Sequence, residues 1–316
     1  MKIMITGASG FVGSSFMKKY SAKNDVEILG TGRRKSDLKN YIQNDLTKPL
    51  ETDFRPDTVI HCAAKASPWG SREEFERQNV LATENVIDFC HRNNVKKLIY
   101  ISSSSVYYNT EDQIGLTENS PIGPKFINEY ARTKYLGELA VKKFERDWVI
   151  LRPRAVFGPG DTVLFPRILE AAKKRTLPVI SREKSPAVGD LIYIDNLTEC
   201  MYLSCIRNDI RGEFNLTNNE PVEIQSFLFS IFRSLGLPVP SFRISYETAI
   251  AGAGFLEGIY NFFHLNSEPP VTQFGIHVFA LSKTFNVSKM LKTFGEPKVK
   301  ISEGIERFIE WQRKQK

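Results

Sequence analysis

A glycine-rich turn directly follows the first apolar run of the chain, Lys2–Thr6. The turn reads TGASGFVG from Thr6 to Gly13, in a strand–glycine–helix context. The first glycine permits a tight turn, the second lets the backbone approach a pyrophosphate, and the third lets the helix pack on the strand. The start of that helix offers free N–H groups and a positive dipole end to phosphate. A structural turn would also use glycine, but this context predicts a dinucleotide site with Gly7, Ser9, Gly10, Phe11, Val12 and Gly13 as candidate contacts.

The first half of the chain alternates short β-rich runs with amphipathic helical stretches. Strands spaced by helices indicate βαβ units, whose right-handed crossovers build a parallel sheet covered on both faces. We predict an α/β fold with a doubly wound parallel (Rossmann) sheet and a smaller, mostly helical substrate domain towards the carboxyl terminus. The predicted elements of the first half are the strands Lys2–Thr6, Val26–Gly30, Thr58–Cys62, Leu98–Ser102 and Trp148–Leu151, and the helices Phe75–Arg92 and Glu129–Phe144.

Proline and glycine become frequent after Pro153, which indicates loops around shorter elements. We predict a helix at Phe165–Arg175, strands at Leu191–Asp195 and Glu213–Thr217 that return to the sheet, and a closing helix near Ser302–Arg313. The expected division is a dinucleotide-binding domain at 1–153 and 187–217 and a substrate-binding domain at 154–186 and 218–316.

Two arginines mark the end of the second predicted strand. An NAD site needs a carboxylate there to bind the ribose hydroxyls, but the sequence continues through Gly32 to Arg33 and Arg34 without an acid. A guanidinium binds a 2′-phosphate through charge-assisted bonds. The pattern favours NADP(H) as cofactor, with NAD(H) as the alternative and a merely solvated basic turn as the competing interpretation.

A tyrosine and a lysine stand four residues apart in a predicted helix, in the segment YARTK (Tyr130–Lys134). This spacing places both side chains on one helix face. A free tyrosine has a pKa of about 10, and a nearby ammonium would lower it so that the phenol can exchange a proton with a substrate oxygen. The serine run 102–105 stands where the strand predicted at Leu98–Ser102 ends, at the ligand-binding edge of such a sheet, and a serine hydroxyl there can hold that oxygen. This pair is common on amphipathic helices, but its position after the serine and the glycine turn favours catalysis.

Composition excludes several other classes of protein. Hydrophobic residues make up 41% of the 316, and the net charge of +7 is too diffuse to indicate nucleic acid as a partner. The cysteines and histidines are scattered, so we expect neither a metal site nor a disulfide framework. We expect no secretion signal, and no transmembrane span because the most apolar stretch, Thr248–Phe263, is short and contains Glu257. We expect a reduced, cytoplasmic compartment, with peripheral membrane contact through that stretch as a further option.

Together these motifs resemble the extended short-chain dehydrogenase/reductase family, in the NAD-dependent epimerase/dehydratase superfamily. The resemblance covers nearly the whole chain and rests on the glycine turn, SSSSVY (Ser102–Tyr107), YARTK and LRPRAVFGPGD (Leu151–Asp161). It implies that Tyr130 is the acid/base, Lys134 its partner and Ser103 the serine of the family. The further cofactor contacts that it implies are Asp45, Leu46, Ala63, Ala64, Lys65, Asn79, Ile101, Pro153 and Val156.

Two positions depart from the nucleotide-sugar branch of this family. That branch usually has Asn where this chain has Ala155. It also tends to have Arg immediately before the strand that follows Gly189, where this chain has the glycine. The loss of an amide and a guanidinium weakens a diphosphate pocket. The chain looks more like the 3β-hydroxysteroid dehydrogenase branch, which includes 2-alkyl-3-oxoalkanoate reductases and acts on apolar substrates. Candidate substrate contacts are Trp69, Ser104 and Arg154. Packing explains Trp69 equally well, and a surface salt bridge explains Arg154 equally well.

The resemblance implies an NADP(H)-dependent oxidoreductase that interconverts a secondary alcohol and a ketone on an apolar substrate, either steroid-like or similar to a β-keto or β-hydroxy acid. The first alternative is a nucleotide-sugar epimerase or dehydratase that retains its cofactor. The second is a non-enzymatic cofactor-sensing or scaffold protein, against which the Ser, Tyr and Lys set argues. Because helices such as Phe75–Arg92 and Glu129–Phe144 often pair across a dimer axis in this family, we expect a homodimer.

Overall fold

The computed structural model describes residues 1–263, 265 and 267–315. His264, Asn266 and Lys316, which fall in the predicted substrate domain, lie outside the described residues. The strands in chain order are β1 (Lys2–Thr6), β2 (Glu27–Gly32), β3 (Tyr41–Gln43), β4 (Thr58–His61), β5 (Lys97–Ile101), β6 (Gln113–Leu116), β7 (Asp147–Pro153), β8 (Val156–Phe157), β9 (Val179–Ser181), β10 (Val188–Gly189), β11 (Ile192–Tyr193), β12 (Gly212–Leu216), β13 (Val222–Glu223), β14 (Arg243–Ser245) and β15 (Lys283–Phe285).

The helices pack around these strands. They are α1 (Phe11–Tyr20), α2 (Arg72–Phe75), α3 (Ala82–Arg92), α4 (Glu129–Val141), α5 (Phe165–Lys173), α6 (Ile194–Ile206), α7 (Ile224–Ser234), α8 (Tyr246–Phe262), α9 (Gln273–Ala280), α10 (Ser288–Phe294) and α11 (Ile301–Lys314). A π-helical segment, Glu76–Leu81, joins α2 to α3, and a short 3-10 helix covers Ser104–Tyr107.

A seven-stranded sheet in the order β12-β7-β5-β4-β1-β2-β3 forms the centre of the molecule. Every neighbouring pair in it is parallel. The strand order reverses between β1 and β4, and ligands of such sheets bind in the crevice beyond the carboxyl ends at this point. The structure confirms the predicted doubly wound sheet and places the glycine turn at its switch point.

Alternate side chains of the strands enter two separate cores, because successive residues of a strand point to opposite faces. Ile3 and Ile5 of β1 pack in one cluster with Phe16 of α1. Met4, between them, packs in the other cluster with Val86 of α3. The sheet is therefore covered on both faces, as its nearly continuous apolar strands predict.

One predicted strand is wrong over most of its length. Within Leu191–Asp195 only Ile192 and Tyr193 are extended, and they pair with β8 instead of joining the central sheet. Helix α6 begins at Ile194. The backbone N–H of Tyr193 donates to Oδ1 of Asn218 at 2.9 Å, so a side chain takes the place of a ladder partner. The other predicted return strand, Glu213–Thr217, is confirmed as β12, beside β7.

The later part of the chain forms small sheets and helices beside the central sheet. One sheet has the order β13-β10-β15-β6, and β14 pairs with β9. Strand β6, from the first half of the chain, thus pairs with β15 near the carboxyl end. The predicted helices at Phe165–Arg175 and Ser302–Arg313 are α5 and α11. The division into two domains stays a prediction.

Helix α8 exposes much of the apolar stretch noted in the sequence. Its buried residues are Ala249 and Ala253. Phe255 is 73% exposed, Phe262 is 78% exposed, and Phe263, just after the helix, is 65% exposed. In the described part of the chain, no helix is both long and apolar enough to cross a bilayer.

Candidate functional site

The glycine turn packs tightly between β1, α1 and the segment after β4. Gly7 has φ +68°, and a Cβ on it would lie 2.7 Å from the backbone nitrogen of Ala63. A Cβ on Gly13 would clash with the carbonyl oxygen of Gly7. Gly10 opens α1 without a side-chain cap, which leaves the first N–H groups of the helix for another partner. These are the steric conditions that the spacing of the three glycines predicts.

A buried hydrogen-bonded chain connects this turn to the helix that carries Tyr130. The hydroxyl of Thr6 is hydrogen-bonded to Nδ1 of His61 at 2.7 Å, and Nε2 of His61 is hydrogen-bonded to the hydroxyl of Thr83 at 3.0 Å. Burial lowers the pKa of His61 to about 3, so the ring is neutral. Because the Thr83 hydroxyl already donates to the carbonyl of Asn79, His61 donates from Nε2 and accepts at Nδ1. No local sequence pattern marks Thr6, His61 or Thr83 as members of this chain, because they come from three separate segments.

Asn79 sits within the π-helical segment and is buried. Its Oδ1 accepts from the backbone N–H of Lys65 at 2.7 Å, and its Nδ2 donates to the hydroxyl of Thr133 at 2.9 Å. Asn79 therefore joins the segment after β4 to α4. π-Bulges recur at functional sites, and this placement is consistent with the prediction that Asn79 belongs to the cofactor region. Its side chain acts there by holding the segment after β4 against α4.

The two arginines after β2 lie beside the glycine turn. Nη2 of Arg34 donates to the carbonyl of Ser9 at 3.1 Å. Arg33 is exposed and donates to Gln78 at 3.3 Å. A backbone bond from Thr47 and the charge of Arg33 lower the pKa of Asp45. Both guanidinium groups and the Ser9 loop thus border one surface at the end of β2.

Ser103 and Tyr130 are brought together by the ends of β5 and α4. A hydrogen bond from Ser103 lowers the pKa of Tyr130, although burial, the larger effect, raises it. The Ser103 hydroxyl also accepts from the hydroxyl of Ser105 at 3.0 Å. Asn128 caps α4 by accepting from the N–H of Ala131 at 2.8 Å, which fixes where the helix begins. The start of α4 thus places the phenol beside the serines that follow β5.

Lys134 is buried, and its ammonium lies 3.9 Å from the ring centroid of Tyr100. Burial lowers the pKa of Lys134 to about 7, while the carboxylate of Glu138 raises it. The charge of Lys134 in turn lowers the pKa of His61. The ammonium therefore faces the ends of β4 and β5, where the candidate cofactor contacts Ala63 and Ile101 lie, and rests on an aromatic face that favours a cation.

Arg154 is 6% exposed, and its guanidinium lies 5.2 Å from the ring centroid of Tyr108. Among the described residues its Nε has no hydrogen-bond partner. Burial raises the pKa of Asp190 to about 6, and the charge of Arg154 lowers it. Ser104 is buried and shares a 3.3 Å hydrogen bond with the hydroxyl of Tyr108. The competing interpretation of Arg154 as a surface salt bridge is wrong, because the guanidinium is buried.

A small cavity of about 50 Å³ adjoins Arg154. Arg154 and Asp190 are its only charged lining residues among those described, and the rest of the wall is apolar, including Phe165, Ile224 and Phe279. This volume is far below the roughly 300–1,000 Å³ of a drug-sized ligand site, so the cavity marks an apolar patch beside the guanidinium and is not a preformed substrate pocket. Trp69 lies elsewhere, with its ring edge-on to Tyr260 of α8 at 6.3 Å, so it joins the segment after β4 to the apolar helix.

The remaining predicted cofactor contacts line the same edge of the sheet. Ile101 ends β5, Pro153 ends β7, and Val156 lies in β8. Ala64 and Lys65 follow β4, and the ammonium of Lys65 pairs with Glu74 at 2.5 Å. Their roles stay predictions. No cluster of three His, Cys, Asp or Glu that could hold a metal ion occurs within residues 1–263, 265 and 267–315.

The chain belongs to the NAD dependent epimerase/dehydratase family, whose model matches residues 3–216. It is an NAD(P)-dependent enzyme of the short-chain dehydrogenase/reductase type. Among its relatives, the 2-alkyl-3-oxoalkanoate reductase of Shewanella oneidensis is 30% identical over 328 residues, which cover 96% of this chain and 84% of that protein. The sterol-4-alpha-carboxylate 3-dehydrogenase, decarboxylating, of Mus musculus is 28% identical over 332 residues, 98% of this chain and 90% of that protein. These relatives confirm the resemblance to the 3β-hydroxysteroid dehydrogenase branch.

Solved structures share the fold at low identity. MoeE5 in complex with UDP-glucose and NAD has a TM-score of 0.75 at 21% identity and covers 100% of this chain and 99% of that one. The UDP-glucuronic acid 4-epimerase from Bacillus cereus in complex with NAD has a TM-score of 0.72 at 20% identity, with coverage of 100% and 99%. At this identity the likeness establishes the fold alone.

Proposed function

We propose that this protein is an NADP(H)-dependent oxidoreductase that interconverts a secondary alcohol and a ketone on an apolar substrate. The observation that carries the proposal is the placement of Ser103 just after β5 and Tyr130 at the start of α4, where the serine hydroxyl lowers the pKa of the phenol, with Lys134 one turn further along the helix. Hydride transfer at a carbon needs a proton donor at the attached oxygen, and these hydroxyls supply one. Relatives that are named as oxidoreductases support this reading.

The residues present fit a dinucleotide. The glycines leave a cradle that a Cβ at Gly7 or Gly13 would fill, and α1 opens with uncapped N–H groups that suit a pyrophosphate. Exposed Arg33, and Arg34 beside Ser9, support NADP(H) over NAD(H), because both can meet a 2′-phosphate. When bound, the cofactor would supply or accept the hydride.

Each catalytic residue has a distinct part in the proposed reaction. Ser103 holds the substrate oxygen by donating to it, and Tyr130 gives that oxygen a proton during reduction or removes one during oxidation. Because burial raises the pKa of Tyr130, the phenolate needs a cation nearby. Lys134 provides that charge in its protonated form.

A carboxylate on the substrate would suit Arg154. Within the described residues the Nε of its buried guanidinium has no hydrogen-bond partner, and the group borders apolar side chains, so it could bind an acidic group at the end of a hydrocarbon chain. The named substrates of the two relatives, an oxoalkanoate and a sterol carboxylate, carry such a group. Ala155, also in the cavity wall, has φ +42° and offers no side-chain amide for a diphosphate. We therefore propose a 3-oxo acid or the matching 3-hydroxy acid as the substrate class.

A spectrophotometric screen tests this function. NADPH oxidation is followed with long-chain 3-oxo acids, 3-ketosteroids and nucleotide sugars, and is repeated with NADH. We expect stoichiometric oxidation of NADPH with the oxo acids. The Arg154→Met variant should raise KM for an oxo acid by about 10- to 100-fold and leave KM for the matching neutral ketone unchanged, since a charge-assisted bond contributes about 1.5–3 kcal/mol. Conversion of a nucleotide sugar without net change in NADPH would overturn the proposal in favour of an epimerase or dehydratase.

Three further features are proposed for the whole protein. Exposed Phe255, Phe262 and Phe263 support contact between α8 and a bilayer surface, where an apolar substrate would be found. The π-helical segment and α4 pack against each other, and each exposes a leucine, Leu81 and Leu139. The surface that these two leucines form supports a homodimer. A cytoplasmic location fits four cysteines that are all free thiols.

A further inference from the structure

A buried ion pair lies one helical turn beyond Lys134. Glu138 of α4 is 0% exposed, and Arg152 of β7 is 1% exposed. Nε of Arg152 donates to Oε1 of Glu138 at 2.8 Å, and Nη2 donates to Oε2 at 2.6 Å. Two parallel bonds between a guanidinium and a carboxylate fix orientation as well as distance.

The pair also binds the ends of neighbouring strands. The hydroxyl of Ser102, just after β5, donates to Oε1 of Glu138 at 2.5 Å. Nη1 of Arg152 donates to the hydroxyl of Tyr107, which donates to Oδ1 of Asn215 in β12 at 3.0 Å. One carboxylate thus connects α4 to the carboxyl ends of β5 and β7 directly and to β12 through Tyr107.

The pair stands in register with the groups assigned to catalysis. Tyr130, Lys134 and Glu138 recur every four residues of α4, so they follow one another along one side of the helix. Ser102 directly precedes Ser103 in the chain. Glu138 therefore holds both the helix that carries the phenol and the ammonium and the strand end that carries the serine hydroxyl.

Stability alone is a poor explanation for such a pair. Replacing a buried ion pair with apolar residues of similar volume is often neutral or stabilising, because two charges lose their hydration. What a bidentate pair adds is a single allowed geometry, whereas an apolar contact tolerates sliding. A shift of about 1 Å between catalytic groups can cost about 100-fold in rate.

Glu138 also acts on Lys134 through its charge. It opposes the lowering of the Lys134 pKa by burial. The other groups near this ammonium are the ring of Tyr100, the thiol of Cys62 and the imidazole of His61, and the latter is neutral. Among these groups Glu138 carries the negative charge that favours the protonated lysine.

We infer that the Glu138–Arg152 pair is a positioning unit, which fixes α4 against the ends of β5 and β7 and so holds Tyr130 and Lys134 at a set distance from Ser103. The pair itself touches neither substrate nor cofactor. The inference rests on the proposed function of the Ser103, Tyr130 and Lys134 set.

Three variants test the inference on the whole protein. Glu138→Met combined with Arg152→Met removes both charges together, so that no buried charge is left unpaired. Glu138→Gln keeps the shape and the hydrogen-bonding oxygen and removes only the charge. Lys142→Met combined with Glu213→Leu is the matched control, because it removes a partly exposed pair that ties the end of the same helix to β12.

We expect the Met double variant to fold and to bind NADPH with a Kd within about two-fold of the parent, while kcat falls by about 100-fold. The Glu138→Gln variant should move the alkaline limb of the kcat profile to lower pH, because Lys134 then loses its proton more readily. The control should keep kcat and the profile. A folded Met double variant with kcat within about two-fold of the parent, or an unchanged pH profile for Glu138→Gln, would overturn the inference.

A second readout does not require turnover. The phenolate of Tyr130 is titrated by ultraviolet absorbance in the presence of NADP+, with the Tyr130→Phe variant subtracted. We expect its pKa to rise in the Met double variant, because the Lys134 ammonium is then no longer fixed one turn along α4 from the phenol, and to stay unchanged in the control. An unchanged pKa in the Met double variant counts against the inference. If the parent reduces no ketone but the titration shifts, the proposed substrate is wrong and the positioning unit stands.

Discussion

Tyr130 faces two opposing influences in this structure. Burial raises its pKa, and the Ser103 hydroxyl lowers it. Lys134 rests on the ring of Tyr100, one helical turn from the phenol. The proposed reaction therefore depends on the ammonium and on the cofactor's positive ring to bring the phenol into a useful range. This makes the phenolic oxygen, more than the size of the ring, the decisive feature at position 130.

We expect Tyr130→Phe to lower kcat by about 10²- to 10⁴-fold, the usual contribution of a general acid or base. The Kd for NADPH, measured by fluorescence titration, should change little because the ring remains. Tyr135→Phe is the control, since Tyr135 lies on the same helix and packs against Phe126. A Tyr130→Phe variant that turns over at the parental rate would exclude the phenol as acid or base.

The buried Lys134 predicts a pH-dependent stability. Its pKa falls from its ordinary value of 10.5 to about 7 in the folded chain, so the cost of burying the charge is fully present below pH 7. As pH rises towards 10.5, the folded protein already holds a neutral lysine and this cost disappears. Lys134→Met should therefore raise the free energy of unfolding more at pH 6 than at pH 9, as measured by urea denaturation. A gain that is equal at both pH values would contradict the lowered pKa.

The sequence reveals only part of the candidate site, for a physical reason. Gly7, Tyr130 and Lys134 are recognisable because their chemistry depends on spacing within one turn or one helix. Glu138 and Arg152 lie 14 residues apart on different elements. A charged residue considered alone is expected at the surface, so neither predicts a buried pair. Their pairing depends on how α4 packs on the sheet, which no local pattern encodes.

The elements of the central sheet could be predicted because they are buried on both faces. Strand β1, for example, has the predicted bounds, and β5 differs by one residue at each end. The segment Leu191–Asp195 shows where this reasoning fails. Its apolar, β-branched residues favour a strand, but the side chain of Asn218 binds the backbone of Tyr193 and α6 starts one residue later.

Close packing around α1 predicts that one added methyl group weakens cofactor binding and lowers stability. A Cβ on Gly13 would clash with the carbonyl of Gly7, so Gly13→Ala must push α1 away from the turn. We expect the Kd for NADPH to rise and the Tm to fall. Gly252→Ala in α8 is the control, because its Cβ would meet nothing within 4 Å; alanine there should stabilise the helix by about 0.5–1 kcal/mol. Equal Tm values for the two variants would refute the packing argument.

Helix α8 predicts binding to lipid vesicles. Three exposed phenylalanines can enter the headgroup region, and the carboxylate of Glu257 is held by Gln273. We expect the protein to sediment with phosphatidylglycerol–phosphatidylcholine vesicles, and a variant with serine at positions 255, 262 and 263 to remain in the supernatant. Phe242→Ser is the control, since Phe242 is exposed but lies outside α8. Parental sedimentation of the triple variant would refute membrane contact through this helix.

Exposed apolar side chains lie on α8 and also on the surface formed by the π-helical segment and α4. The net charge of +7 suits an anionic cofactor and an anionic bilayer, and it disfavours the close approach of a second copy unless apolar groups meet. On the π-helical segment and α4, Leu81 is 39% exposed and Leu139 is 38% exposed. A dimer axis beside these helices would leave the sheet edge and α8 of each copy free, so both subunits could bind cofactor and lipid together.

We expect the protein to sediment as a homodimer at micromolar concentration, and the variant Leu81→Asp with Leu139→Asp to sediment as a monomer. Two carboxylates at an apolar contact would lose hydration and repel their copies across the axis. Val163→Asp is the control, because Val163 is equally exposed, at 39%, on a different segment. If the parent sediments as a monomer, this surface does not pair; if the double variant remains dimeric, the interface lies elsewhere. Because α4 carries Tyr130 and Lys134, a monomeric variant that keeps its turnover rate would also show that each copy holds a complete site.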